Sequence, residues 1–393
     1  MNLLDLKLLR DLKALKSQAL AVALVMACGL AMMIMTRSLI VSLETTRDAY
    51  YRDNRFAEVF ARLKRAPNAV AAQLAAIPGV ATVQTGIALS VTLDLPGVLE
   101  PATGLIQSLP EQGELTLNRL HLRAGRILVG RESTGEILAG EAFAEANRLR
   151  PGDTIAAVLY GRRQNFRIAG VVLSPEFVFE ARAGETLPDN TRFGVFWMNY
   201  RSLAVAYNMD GAFNDFCIDL SPGAEAGPVI QELDRLLSRY GAGGAFTRRD
   251  HASAARLDDE LRVLNALSMV YPVVFLSVAA FMVNSVLARL VRLQREQIAQ
   301  LKALGYSSWQ VGRHYLSFAM VIVVVGSVLG GIGGRFMGGG LIKVYDLFFR
   351  FPSLVFRLDY GALSLALLVS AGASTLGVIG VVRQAVKLPP AEA

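Results

Sequence analysis

Four stretches of the chain, Ser17 to Thr36, Val263 to Ala288, His314 to Gly334 and Tyr360 to Val382, contain no Lys, Arg, Asp or Glu. A helix needs about 20 residues to cross the hydrocarbon of a bilayer, so each stretch predicts one membrane-spanning helix. The chain from Leu30 to Ala66 has neither Pro nor Gly, so the first helix is expected to run on as a stalk before a strand such as Phe56 to Leu63. Pro67 then starts a small amphipathic helix closed by Pro78 and Gly79, and residues 80–95 read as strand, rich in β-branched residues.

From Ser108 to Phe179 the pattern is mostly strand, with a helix at Glu141 to Asn147 stopped by Pro151, Gly152 and Asp153. TIAAVLY and NFRIAGVVL then form a hairpin across Gly161 to Arg163. DFCIDLS reads as strand and AGPVIQELDRLLSRYG as helix, with Leu233, Leu236 and Leu237 on one face and Gly241 as its stop. Leu257, Leu261 and Leu264 recur at i, i+4 and i+7 in a helix that enters the second apolar stretch as far as Pro272. Two helices therefore leave the membrane on one side, and they are expected to pair as a stalk.

Between the second and third apolar stretches lies RLQREQIAQLKALGYSSWQVGRHYL, residues 292–316. Ile298, Leu301 and Leu304 sit at helical spacing, with Arg292, Arg295 and Lys302 adding positive charge. Gly305 can end this helix in a left-handed conformation, and Ser307 or Ser308 can cap the next. Two readings fit: an ordinary basic loop, or a short helix on which a cytosolic partner pushes.

Charge places the loop. Residues 1–16 carry four Lys or Arg against two Asp, residues 289–313 five against one, and residues 383–393 two against one. Positively charged short flanks stay in the cytoplasm, so both termini and the central loop are expected inside, and the long segment outside. The net charge of +7 is thereby explained without nucleic acid, and no basic patch interleaved with aromatics occurs. The first apolar stretch is longer than a signal peptide's and its exit, TRSLIVSLETT, offers no small-x-small cleavage pattern, which favours an uncleaved helix.

Candidate chemistry is sparse. Cys28 falls in the first apolar stretch and Cys217 in the exported segment, so no disulfide framework is implied. His121, His251 and His314 are scattered, HExxH and GxSxG are missing, and no GxxxxGK precedes a Ser or Thr. No catalytic residue, metal site or cofactor is therefore expected, and Asp258, Asp259 and Glu260 read as a solvated acidic face. The apolar stretches hold no charge to pass ions or protons; Arg37 and Arg335 lie near ends where they can snorkel, and Asn284 reads as a helix–helix hydrogen-bonding group. Gly326, Gly330, Gly334 and Gly338 form a stripe at four-residue spacing that lets helices approach closely, either within one subunit or at a dimer or sliding interface.

The central loop resembles that of the FtsX-like, MacB-type ABC transporter permeases. Their pattern is a basic residue, Glu, Ile, Gly or Ala, any residue, then Leu-Lys-Ala-Leu-Gly. Ile298, Ala299, Leu301, Lys302, Ala303, Leu304 and Gly305 match it; Gln297 stands where the family has its acid, and Glu296 lies one residue earlier. The exported segment resembles MacB-type periplasmic core domains at residues 117–126, 136–155 and 166–177, and the similarity runs in order to the closing KLPPAEA.

The expected fold is an α+β membrane protein with four transmembrane helices and a large mixed α/β periplasmic domain on a helical stalk between the first two. Its expected parts are a cytoplasmic segment 1–16, helix and stalk start 17–41, periplasmic domain 42–262, helix 263–288, coupling loop 289–313, helix 314–336, periplasmic loop 337–359, helix 360–382 and tail 383–393. The resemblance implies a permease subunit of the bacterial inner membrane, of the mechanotransmission type. A separate ATPase subunit would bind ATP and engage Arg295, Glu296, Ile298, Leu301, Lys302, Ala303, Leu304 and Gly305. An envelope lipid or lipoprotein is the expected substrate. The alternative is a signalling or scaffold protein that activates a periplasmic partner such as a cell-wall hydrolase. Ala393 is either a natural end, implying a homodimer, or the boundary of a half that needs a second permease half.

Overall fold

The structure is a computed structural model that describes residues 3–95, 102–111, 113–128, 135–182, 184–185 and 187–387; residues 388–393 of the expected tail lie outside it. Among the described residues the α-helices are, in chain order, α1 (Leu3–Ala14), α2 (Lys16–Asp53), α3 (Val70–Ala75), α4 (Glu141–Ala146), α5 (Tyr200–Ala206), α6 (Ala226–Leu237), α7 (Ala252–Leu293), α8 (Arg295–Ala303), α9 (Ser308–Phe348) and α10 (Tyr360–Lys387). The strands are β1 (Val59–Pro67), β2 (Val80–Gly86), β3 (Ala88–Asp94), β4 (Ala102–Leu109), β5 (His121–Gly125), β6 (Glu136–Gly140), β7 (Thr154–Leu159), β8 (Arg162–Leu173), β9 (Phe193–Asn199), β10 (Ala212–Leu220) and β11 (Phe246–Thr247). The chain divides into two compact units: Met1–Glu44 with Leu261–Lys343 and Val355–Ala393, and Thr45–Glu260 with Val344–Leu354.

The first unit is helical. Helices α2, α7 and α9 are long and apolar enough to cross a membrane, and α10 contributes a shorter apolar stretch at Tyr360–Gly372. Pro272 lies inside α7 without ending it; membrane helices tolerate Pro because neighbours re-satisfy the freed backbone groups. Two buried clusters hold these helices together. One joins Val22, Val283, Leu287, Tyr315, Phe318 and Ile322; the other joins Met26, Leu30, Ile34, Leu276, Ala279 and Val323.

Helix α9 meets α2 through glycine. A methyl group at Gly330 would sit 2.7 Å from Leu30 Cβ, one at Gly334 would sit 2.9 Å from the Ala31 carbonyl oxygen, and one at Gly326 would sit 3.0 Å from the Ala23 carbonyl oxygen. Gly338 faces the Phe356 ring instead. At Gly330 and Gly334 the approach within one chain is too close for a Cβ without a shift of the neighbouring helix, and at Gly326 it is tight. The helix also continues to Phe348, twelve residues into the stretch expected as a loop from 337. Three successive glycines, Gly338, Gly339 and Gly340, lie inside it without ending it.

The second unit is mixed α/β. Strands β11-β1-β10-β2 make one antiparallel sheet, and β5-β8-β6-β9-β4-β3-β7 make another. A further β7–β8 pairing closes six strands of the larger sheet into a ring. Its interior is filled by Val91, Ile106, Ala139, Ile155, Phe166 and Phe196, one from each strand, with Phe143 of α4 beside them. A ring this small leaves room for side chains and no channel.

The single strand expected over residues 80–95 is two strands in different sheets. They part at Ile87, which is 1% exposed and donates its backbone N–H to Ser108 Oγ at 2.8 Å. The β7–β8 hairpin turns at Tyr160 and Gly161, both at positive φ (45° and 76°), one residue before the expected position. Within this unit Arg47 of α2 donates to Asp258 of α7 at 2.8 Å, and Tyr345 donates to Glu260. Two members of the acidic cluster expected to be solvated are thus partnered.

Candidate partner-docking site

The turn between the long helices α7 and α9 is built from local rules. Helix α7 stops at Leu293, Gln294 leaves helical geometry at φ −101°, and α8 begins at Arg295. Gly305 ends α8 at φ +92°, a left-handed conformation that glycine adopts without a Cβ clash. Ser307 and Gln310 then form a reciprocal cap. The Ser307 N–H donates to Gln310 Oε1 at 2.8 Å, and the Gln310 N–H donates to Ser307 Oγ at 3.3 Å.

The residues expected to act together on α8 divide between two faces. Ile298 is 1% exposed and packs into the cluster of Leu290, Val291, Val311 and Tyr315. Leu301 and Lys302 are half-buried, whereas Arg295, Glu296, Ala303 and Gly305 are exposed and Leu304 is 78% exposed. Ile298 therefore fixes the helix to its scaffold, and Leu304 with Leu301 remains presented outward.

Helix α1, whose sequence reads only as a cytoplasmic basic segment, completes the site. Leu8, Leu12 and Leu15, spaced four and three residues apart, pack against the same cluster as Ile298. A groove of about 790 Å³ runs between α1 and α8. Its apolar lining is Leu6, Leu9, Leu301, Leu304 and Tyr306, and Lys7, Arg10 and Lys13 add positive charge.

A buried polar network holds α1 in place. Gln294 Nε2 donates to Asp11 Oδ1 at 2.8 Å, and Gln294 Oε1 accepts from Lys7 Nζ at 2.6 Å and from the Tyr315 hydroxyl at 3.2 Å. Asp11 Oδ2 accepts from Lys7 Nζ at 2.7 Å and lies 3.2 Å from His314 Nε2. Burial alone would raise the Asp11 carboxyl, but the bonds to His314, Lys7 and Gln294 and the charge of Lys7 bring it down to about 2. Asp11 is thus a fixed negative charge at the point where α1, the α7–α8 break and the start of α9 meet. The leucine spacing in α1 was a signal for its packing; nothing in the sequence pairs Asp11 with Gln294, 283 residues away.

Long apolar helices joined by an exposed inter-helix turn are the features of an integral membrane protein. Residues 269–390, which span the apolar part of α7 through α10 and include α8, match the family of FtsX-like permease C-terminal domains. The extracellular domain of the noncanonic ABC-type transporter YknZ from Gram-positive bacteria is 12% identical over 49% of this chain and 98% of that one, with a TM-score of 0.32. The periplasmic region of MacB from Actinobacillus actinomycetemcomitans is 13% identical over 54% of this chain and 95% of that one, with a TM-score of 0.33. Comparison with curated sequences finds no match.

Proposed function

We propose that this chain is the membrane subunit of an ABC transporter of the mechanotransmission type, and that a separate ATPase subunit docks on α8 and α1. The observation that carries the reading is the groove between these helices: exposed Leu304, Leu9 and Leu6 lie together beside Lys7, Arg10 and Lys13. Such a surface suits a partner that offers an apolar side chain within an acidic rim. The family match over residues 269–390 supports it, because α8 lies inside the matched segment.

In this reading α2, α7, α9 and α10 are four transmembrane crossings, both termini and α8 are cytoplasmic, and the mixed α/β unit is periplasmic on the inner membrane of a bacterium. ATP is bound and hydrolysed by the partner, and its closure moves α8. Ile298 and the Asp11–Gln294–His314 network make α8, α1 and the start of α9 shift as one body. The substrate class is a hydrophobic envelope molecule, lipid or lipoprotein. A second copy or a second permease half completes the transporter.

Co-purification with a co-expressed ABC ATPase subunit tests the proposal. Leu304→Asp and Leu301→Asp are expected to weaken association at least about tenfold, because each places a charge where an apolar contact was made. Unchanged association of both variants would overturn the assignment of the docking surface.

A further inference from the structure

Helix α9 is a single rod of 41 residues, about 60 Å long, that starts at Ser308 just past the Gly305 stop of α8. Its last turn and the residues beyond it, Val344–Leu354, belong by their packing to the α/β unit, although the chain on both sides, Leu261–Lys343 and Val355–Ala393, belongs to the helical unit. The rod therefore leaves the docking turn in one unit and finishes in the other.

The stretch Phe349–Pro352 is built to be held. Helix α9 ends at Phe348, and Pro352 neither donates a backbone N–H nor lets the residue before it return to helix. The carbonyls of Phe351 and Pro352 consequently have no helical donor. Arg123 supplies both: Nη2 donates to the Phe351 oxygen at 2.9 Å and Nη1 to the Pro352 oxygen at 2.7 Å, while Nε lies 2.7 Å from Glu141 Oε1. It reaches them from the edge strand β5, where it is the extra residue of a β-bulge: Leu122 pairs with Val172, and Ala124 already pairs with Val171. A bulge re-aims the side chain out of the regular alternation. The planar guanidinium spans two successive carbonyls and a carboxylate at once, a fork that a lysine ammonium does not offer.

The neighbouring residues are fastened as well. The Arg350 N–H donates to the Val178 oxygen at 2.7 Å, and Arg350 Nη1 donates to Glu145 Oε2 at 2.7 Å. Phe351, 1% exposed, packs edge-on against Tyr50 with ring centroids 6.0 Å apart. Phe349 meets Phe179 at 5.5 Å. All of these partners lie in the α/β unit.

We propose that Phe349–Pro352 is a coupling strap: gripped by Arg123 and Arg350, it makes the α/β unit follow displacement of α9. The proposal rests on the reading that a partner moves α8. Displacement of α8 leaves along α7 on one side and along α9 on the other. Helix α7 enters the α/β unit as unbroken helix, whereas α9 depends on the strap beyond its end. The arginine bonds that close the strap are charge-assisted and stronger than neutral ones.

The test uses the full chain co-expressed with an ABC ATPase subunit and reconstituted in nanodiscs. Spin labels are carried at Tyr160 of the α/β unit and at Tyr360, the first residue of α10, both 75% exposed. Pulsed electron paramagnetic resonance compares their separation without nucleotide and with ATP trapped by vanadate. The wild type is expected to show a nucleotide-dependent shift. Arg123→Gln is expected to lose about half of that shift or more, and Arg123→Gln combined with Arg350→Gln nearly all of it, with the ATPase still co-purifying. Arg163→Gln removes a bond of the same kind, to Asp94 at 2.6 Å, away from the strap, and is expected to leave the shift intact. A full shift in both strap variants would overturn the strap and leave the docking surface standing. Equal loss in Arg163→Gln would overturn it too, because any weakening of the α/β unit would then suffice. No shift in the wild type with the ATPase bound would overturn the reading that a partner moves this chain, and the strap with it.

Discussion

Two carboxyl groups respond to pH in opposite directions because their surroundings differ. Glu180 is buried and its Oε2 has no hydrogen-bond partner among the described residues. Burial raises it, Arg350 pulls it back and Glu141 raises it again, to about 8 from an ordinary 4.5. The folded chain binds this proton more tightly than the unfolded chain, so stability from this group is full below pH 4.5 and is lost as pH rises toward 8. Glu180→Gln should flatten the fall of the thermal midpoint between pH 5 and pH 8 and raise the midpoint at about pH 8, as followed by tryptophan fluorescence; an unchanged profile would contradict the burial of an unpaired carboxyl. Asp11 has the other sign. Its folded value of about 2 lies below the ordinary 3.8, so its stabilisation is full above pH 3.8 and is lost as pH falls toward 2. Asp11→Asn removes the charged acceptor of Lys7 and is expected to cost about 1–3 kcal/mol locally. The readout is faster tryptic cleavage at Lys7, Arg10 and Lys13, and unchanged cleavage would mean that the network does not hold α1.

At the scale of elements, the close contact of α9 with α2 depends on individual glycines rather than on glycine content. A Cβ at Gly330 would lie 2.7 Å from Leu30 Cβ and 3.0 Å from the Ala27 carbonyl oxygen, while a Cβ at Gly339 meets nothing within 4 Å. Gly330→Ala is therefore expected to destabilise by about 1–3 kcal/mol through overpacking, and Gly339→Ala to be neutral or slightly stabilising through helix propensity. Thermal unfolding in detergent compares them, and equal effects would contradict the packing. The same elements show what the sequence could disclose. Apolar stretches, the Gly305 stop and the Ser307 cap were legible because each is decided by residues within one or two turns. The parting of β2 from β3 at Ile87 was not, because a continuous β-branched run says nothing about which sheet each half joins; that is set by partners in β10 and β4. Nor was the role of α1, whose leucines were readable while its bonds to Gln294 and His314 span most of the chain. Six residues at about 3.6 per turn already set Ile298 and Leu304 on different faces of one helix; which face is buried lay beyond a spacing rule, since only the packing of α8 against α9 decides it.

For the whole molecule, the proposed function requires that work enter at one surface. The helical unit carries the FtsX-like match and the groove between α1 and α8, while the mixed α/β unit carries a closed strand ring. An energy-coupling partner should therefore touch α8 and α1 and leave the outer face of the α/β unit untouched. Site-specific photo-crosslinking in cells measures this directly, with benzoylphenylalanine placed singly at Leu304, Leu9 and Tyr160, which are 78%, 51% and 75% exposed. The predicted result is a covalent adduct with the proposed ATPase subunit from positions 304 and 9 and none from position 160. An adduct from position 160, or none from positions 304 and 9 while the ATPase still co-purifies, would contradict the account.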